Sequence, residues 1–413
     1  MTPESSLRTP TTVAGAAPTA PVTPTAPVTP PAPSGSGPVF TTELCRDPDR
    51  FAALAPAWHA LYRRSRTATP FQSHAWLHSW WLSYGTPGRL RIVLVHRDGE
   101  LVAAAPLMLV RRPFPVLVPL GAGISDFFDV LVDDRHTQAD AGPGAEPRAD
   151  DVTAALVKAL ADAARTAVID LREVRPGAAV ERVCAHWQGP RRQLADSVCL
   201  ELPAVPLDEL LRRLSSSRSQ RARAKVRKLD SHDIVERVVP QAEIPAAVGR
   251  LLELHRLQWQ GRKVTPEHLS ARFSEHLARS VTAMVEHGDA RMTEYLLAGT
   301  VRAVDLTLMS GQLEGGYLYG ADPELRTKKV DVALMLLRNG ARHISTSGRT
   351  TLSMLRGTEP YKYHWRPETV RNQRLLLARP PLAPFLRLLV ARAAGRDRAA
   401  ALVKRLRRSG GKG

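Results

Sequence analysis

The chain has 413 residues, room for two domains and a tail, with an ordinary apolar share of 44% and a net charge of +18. It has no apolar run near the length of about eighteen residues that a membrane-spanning helix needs. Cys45, Cys184 and Cys199 stand too far apart for a Cys-x-x-Cys pair, which suits small buried thiols in a reducing cytoplasm and excludes a disulfide frame or a zinc ribbon. The positive charge is concentrated: residues 212–228 and 381–413 each contribute +8, so the rest of the chain is nearly neutral, unlike a nucleic-acid-binding body.

Residues 1–38 hold ten of the 33 prolines among Thr, Ala and Ser. Such a segment cannot bury enough surface to offset the entropy of ordering it, so a disordered, partly polyproline-II tail is expected. The start lacks a basic segment followed by an apolar one, so it does not read as a secretory signal. From Val39 on, Asp47-Pro48 opens a predicted helix to Arg64, with Phe51, Leu54, Trp58 and Leu61 at helical spacing. Phe71–Tyr84 is predicted as a second helix whose Trp76, Trp80 and Tyr84 share one face, an aromatic stripe of the kind that belongs to a core. Strand-like runs follow at Arg91–His96, Leu101–Val110, Val116–Leu120 and Phe127–Val132, with an Asp98-Gly99 hairpin turn between the first two. A polar loop at 135–150 leads to a helix over Val152–Ala164 and strands at Ala167–Leu171 and Ser197–Leu202.

The same order then recurs. A basic helix over Ser217–Leu229 and a strand at Ile234–Val239 precede helices over Ile244–Gly261 and Pro266–His287. A meander at Ala290–Leu297, Val301–Met309 and Leu313–Tyr319 follows. Then come a helix over Val330–Asn339 and strands at His343–Thr346, Leu352–Leu355 and Val370–Leu377. The expected fold class is α+β: two tandem domains, 39–205 and 206–380, each a mostly antiparallel mixed sheet flanked by helices. Residues 381–413 read as a basic amphipathic tail, whose stretch 382–408 can lie on an anionic membrane surface, dock on the second domain or stay disordered.

Chemistry is densest at residues 351–365, where a short apolar strand runs into Arg356-Gly357, Glu359-Pro360-Tyr361-Lys362 and Trp365. Strand ends aim side chains from a rigid support, and binding groups are commonly built there. The residues alone allow either a site or a structural ion cluster of Arg356, Glu359 and Lys362. No H-E-x-x-H, G-x-S-x-G, Walker A or Rossmann pattern occurs, so no metal site is predicted.

The block at 351–365 resembles the D-F-L-R-G-x-E-x-Y-K-x-x-W signature of the CelD-like branch of the GNAT acyltransferase superfamily, with Ser353 in place of its leading Asp. Pro70-Phe71-Gln72-Ser73, Pro119-Leu120-Gly121-Ala122-Gly123-Ile124-Ser125-Asp126-Phe127, the basic stretch Ser215–Leu229 and Leu254-His255-Arg256-Leu257-Gln258-Trp259 resemble further blocks of that family, in the same order. The resemblance implies tandem GNAT-like domains and transfer of an acyl group from acyl-CoA to an amine or hydroxyl, directly in a ternary complex. In that reading Glu359 accepts the nucleophile's proton, Tyr361 donates to the leaving thiolate, and Arg356 pairs with a carboxylate or phosphate or braces Glu359. Gly315 and Gly316, in the strand Leu313–Tyr319, admit a pantetheine arm, although a hairpin turn would also explain them. Arg326, Lys328 and Lys329 stand where a helix start would meet the pyrophosphate, with Lys362 as a further phosphate ligand. Asp126, His255 and Trp259 are candidates for holding a small-molecule, polysaccharide or lipid-like acceptor.

Two other readings stay open. FemAB-type transferases share the doubled architecture and would use aminoacyl-tRNA, with helix 217–229 tracking its phosphates; no other nucleic acid is implied. Alternatively, Ser353 and the glycine-free turn at 326–330 would suit a relative that binds without catalysing. The expected location is the cytoplasm, at its inner membrane surface if the tail attaches there.

Overall fold

The computed structural model describes residues 38–111, 113–136, 150–261 and 265–409. The tail expected over 1–38, apart from Pro38, and most of the loop expected at 135–150 lie outside them. The strands are β1 (Phe40–Cys45), β2 (Leu90–Arg97), β3 (Glu100–Arg111), β4 (Pro115–Pro119), β5 (Leu131–Val132), β6 (Val168–Val174), β7 (Arg191–Pro203), β8 (Ile234–Val238), β9 (Ala290–Leu297), β10 (Thr300–Met309), β11 (Leu313–Ala321), β12 (Thr351–Arg356) and β13 (Glu368–Leu377). They form one sheet in the order β1-β2-β3-β4-β6-β13-β7-β12-β11-β10-β9-β8, with β5 added on β3.

Local chemistry accounts for most elements. Asp98-Gly99 and Ala298-Gly299 both adopt positive φ and close the hairpins β2–β3 and β9–β10, the turn geometry that matches strand twist. The helix expected over 47–64 is two, Pro48–Ala53 and Ala55–Arg64. Pro56 lacks the N–H an interior helical position requires, but fits the first turn of a new helix. The stripe Trp76, Trp80 and Tyr84 belongs to the core: the Trp76 ring meets His276 at 4.5 Å and Tyr317 at 5.3 Å.

Two expected strands are corrected. His343–Thr346 is the end of the helix Val332–Ile344 and the turn after it. Leu334, Met335, Ala341 and Ile344 are buried at helical spacing, and that period overrides the β-branched residues at its end. Of Phe127–Val132, only Leu131–Val132 joins the sheet, with a lone bridge from Phe128 to Val174. The backbone turns there because the buried Asp129 accepts bonds from the N–H groups of Ala179 and Val180 at the start of the helix Ala179–Ala185, and from Thr67 Oγ1.

Each half contains one parallel pair, β4–β6 and β11–β12, beside antiparallel neighbours. The last strand of each half then crosses over. β7 lies against β12 and β13, while β13 fills the space between β6 and β7. The segments 39–205 and 206–380 therefore share one continuous sheet. On one face a single apolar core runs through both halves, from Phe51, Trp58 and Trp76 to Val248, Phe273 and Val281. Alternation along β10 sends Val304, Leu306 and Leu308 into that core and Ala303, Asp305 and Thr307 to the opposite face. On that opposite face Ala303 packs in a cluster with Met335 of the helix Val332–Ile344 and Leu229 of the helix Ser216–Asp230. The helix Ala383–Ser409 docks through Leu386 and Leu389 on Phe114, Val116, Val168 and Leu376. No helix among the described residues is long and apolar enough to cross a membrane.

Candidate active site

β11 and β12 pair at Leu313–Thr351, Glu314–Leu352 and Gly315–Ser353, and then part. Gly315 holds the two strands close: a Cβ there would stand 2.9 Å from Leu355 Cδ2 and 3.2 Å from the Ser353 carbonyl oxygen. Gly316 faces open space, with Asp305 Oδ1 as the nearest atom, 3.9 Å from where its Cβ would be. Both glycines thus lie within a strand, and the turn before it is at Gly311-Gln312. Against β10 the register passes from Leu306–Leu318 to Thr307–Gly316, so Tyr317 is an extra residue with no partner on β10. Its hydroxyl donates to the Ile124 carbonyl at 2.9 Å and fastens the bulge to the first half.

Two acids that sequence patterns passed over lie beside this bulge. Asp305 is buried and accepts from Thr307 Oγ1 at 2.9 Å; burial raises its carboxyl to about 6, the Thr307 bond opposing. Glu314 is fully buried and pairs with Arg291 at 2.7 Å. The available signal was an acid in the middle of an apolar strand, Val304-Asp305-Leu306, where a solvated charge has no place.

Past the end of β11, the short helix Pro323–Thr327 and the helix Val332–Ile344 enclose a cleft of about 790 Å³ with the basic helix Ser216–Asp230. Arg326, Lys329, Lys225 and Lys228 line it. Lys329 takes a left-handed φ of 58°, a conformation glycine would hold without strain. Asp331 caps the following helix, accepting from Leu334 N at 3.1 Å, and pairs with Lys225 at 2.7 Å. A carboxylate therefore already takes one N–H at the helix start. An incoming phosphate fits the side-chain cations but finds its backbone cradle partly taken. A second cleft of about 450 Å³ continues past Lys225 and Asp331 to Arg218, Arg221, Tyr361 and His364.

Arg356 lies elsewhere. Its Nε meets Asp126 Oδ1 at 3.2 Å, its Nη1 meets Glu173 Oε1 at 3.0 Å, and its N–H donates to Asp126 Oδ2 at 3.2 Å. Asn372 Nδ2 ties the Asp126 carbonyl and Glu173 Oε2 together, at 3.1 and 3.0 Å. Burial raises the Asp126 carboxyl, with Arg356 opposing. Burial also pushes the adjacent Cys199 thiol up to about 12, which makes it a poor nucleophile. Glu173 in β6 and Leu355 in β12 both take positive φ, so each parallel pair bends where this cluster joins the halves.

The predicted trio is therefore not gathered in one cleft. Arg356 spans Asp126 and Glu173 and does not brace Glu359. Glu359 is exposed and pairs with Lys362 at 2.9 Å, while Tyr361 lines the smaller basic cleft. Lys362 is buried and donates to the Arg356 carbonyl at 3.1 Å, so it holds the strand end and is not directed at a phosphate. Among the predicted phosphate ligands Arg326 and Lys329 share a cleft, whereas Lys328 pairs with Glu324 at 3.2 Å. Asp126 is occupied by Arg356. His255 bonds the Tyr319 carbonyl at 2.8 Å and His268 at 3.3 Å, and Trp259 ends its helix half-buried; neither lines any of the clefts described above. No group of three His, Cys, Asp or Glu side chains among the described residues is placed to hold a metal ion.

Residues 216–363 match the family of acetyltransferase (GNAT) domains. The fold is similar to that of FemX, 12% identical, with 80% of this chain and 98% of that chain covered at a TM-score of 0.55. It is also similar to that of a conserved protein of unknown function from Bacteroides thetaiotaomicron, 13% identical, with 79% and 97% covered at a TM-score of 0.53. No curated protein matches the chain in sequence.

Proposed function

Taking residues 216–363 as a GNAT-type domain, we propose that the chain transfers an acyl group from a coenzyme A thioester to an amine or hydroxyl where β11 and β12 part. The observation that carries this reading is the bulge at Tyr317, which puts a residue unpaired with β10 beside the open face of Gly316. Attack by the acceptor forms the new C–N or C–O bond and breaks the C–S bond. The transient oxyanion accepts from the Tyr317 N–H, the acceptor's proton passes to Asp305 directly or through water, and coenzyme A leaves as the thiolate, which takes up a proton from solvent. Arg326, Lys329, Lys225 and Lys228 would hold the donor's phosphates as point charges. Tyr361, on the wall that adjoins Lys225, would face the bound donor, and Arg356 is a positioning residue that fixes the end of β12.

Titration calorimetry with acetyl-CoA and longer acyl-CoAs, paired with a thiol-release assay, tests the proposal. Saturable binding that is lost in Arg326→Glu/Lys329→Glu supports it; absence of binding by any acyl-CoA refutes it. One observation favours a second donor class. The helix Ser216–Asp230 exposes Arg218, Arg221, Arg223, Lys225, Arg227 and Lys228 and has no aromatic side chain, a surface suited to tracking phosphates without stacking bases. Binding of charged tRNA alone, falling steeply with salt, would establish that reading in place of the first.

A further inference from the structure

A separate cleft of about 720 Å³ opens in the first half, where β4 and β6 part after pairing at Val116–Val168 and Leu117–Ile169. It has no lining residue in common with the two basic clefts around the helix Val332–Ile344. Met108, Val110, Val118, Leu120 and Phe127 give it apolar walls. Arg89, Arg111, Arg172 and Arg356 reach it, beside Asp170 and Glu173. The acids are already neutralised: Asp170 takes both arms of Arg374 at 2.7 Å, and Glu173 takes Arg356. Arg172 is paired with Asp196. Arg89 and Arg111 make no ion pair among the described residues. Together with Arg46 they crowd Arg91, whose guanidinium is pushed below its ordinary value by burial and by these like charges. A cluster of unneutralised guanidiniums beside an apolar cleft is complementary to one ligand shape.

We propose that this cleft binds an amphiphilic anion. Its phosphate or carboxylate head is held by Arg89 and Arg111, and its hydrocarbon or ring body lies along Met108, Val110, Val118 and Phe127. Val110 and Val118 also pack against the apolar cluster of Leu386 and Leu389, so the apolar wall runs on to the helix Ala383–Ser409, whose Phe385 and Leu388 are exposed. The size of the cleft suits a ligand of about drug-like dimensions. Binding here does not depend on the transfer reading.

The test is titration of the full chain with monomeric decyl phosphate, with inorganic phosphate and decanol as half-ligands. Saturable binding is expected, weakened about tenfold or more in Arg89→Glu/Arg111→Glu and in Ala122→Trp, which fills the cleft from an exposed loop position. Both half-ligands should compete far more weakly than the whole. Thermal melts of both variants should match the parent, since neither change touches the core. Unsaturable binding, parental affinity in either variant, or inorganic phosphate competing as well as decyl phosphate would overturn the proposal. So would retention on anionic vesicles without binding of the monomer. A chain that binds decyl phosphate yet releases no thiol from any acyl-CoA would refute the transfer reading and leave this one standing.

Discussion

Replacing Arg356 by Met would leave Asp126 and Glu173 facing each other across the joint between the halves. Their side chains are only 12% and 15% exposed, against 35% for Arg356. Removing one partner of a buried ion pair costs about 3–5 kcal/mol; because water reaches a third of this arginine, about 2–3 kcal/mol is expected here. The pH dependence is the sharper readout. Burial already raises the Asp126 carboxyl while Arg356 opposes, so the variant's carboxyl rises further. An acid whose folded value exceeds its unfolded one stabilises fully below the unfolded value and loses that contribution as pH rises through the folded one. The deficit of Arg356→Met in urea unfolding should therefore be largest near about pH 8 and shrink toward about pH 5. Neutralising all three, as Arg356→Met/Asp126→Asn/Glu173→Gln, should return most of the loss. A deficit under about 0.5 kcal/mol at both pH values would refute the bridging role. Full stability with abolished transfer would instead put Arg356 on the reacting atoms.

Gly320→Ala should destabilise by at least about 1–3 kcal/mol, because the new Cβ meets the Leu251 carbonyl oxygen at 2.3 Å and the His255 nitrogen at 2.5 Å, backbone of a helix that cannot yield locally. Gly316→Ala, with its nearest atom at 3.9 Å, should unfold within about 0.5 kcal/mol of the parent yet lose transfer rate; chemical denaturation and a thiol-release assay separate the two. Asp305 holds its proton up to about 6, so its ionised form costs the fold at most about 3 kcal/mol. Asp305→Asn should gain stability over the parent as pH rises from about 4 to about 6, then level off, while the rate falls and its acid limb near that pH disappears. Asp331→Asn keeps a helix cap but removes the carboxylate beside Lys225. Its melting temperature should hold, and titration calorimetry should show acyl-CoA binding several-fold tighter.

Local patterns determined much of this protein. Apolar spacing set the core faces of the helices 74–84 and 271–286, and Asp98-Gly99 set the first hairpin, because periodicity and turn chemistry act within a few residues. Composition confined the basicity to two segments, one of which is the exposed helix Ser216–Asp230. The block at 351–365 was legible as dense in chemistry and 119–127 as a further block of the resemblance, but not as parts of one joint. Arg356 finds Asp126 from 230 residues away and Glu173 from 183. The crossing of β7 and β13 was equally hidden, since a strand's own alternation specifies which face it buries and not which neighbour it pairs with. Asp305 was passed over in the sequence, because only the fold lays the bulge of β11 beside it. Which charges meet, and which strand residue is left without a partner, was decided only when the sheet closed, because those partners are selected by packing between segments that nothing in their own sequence relates.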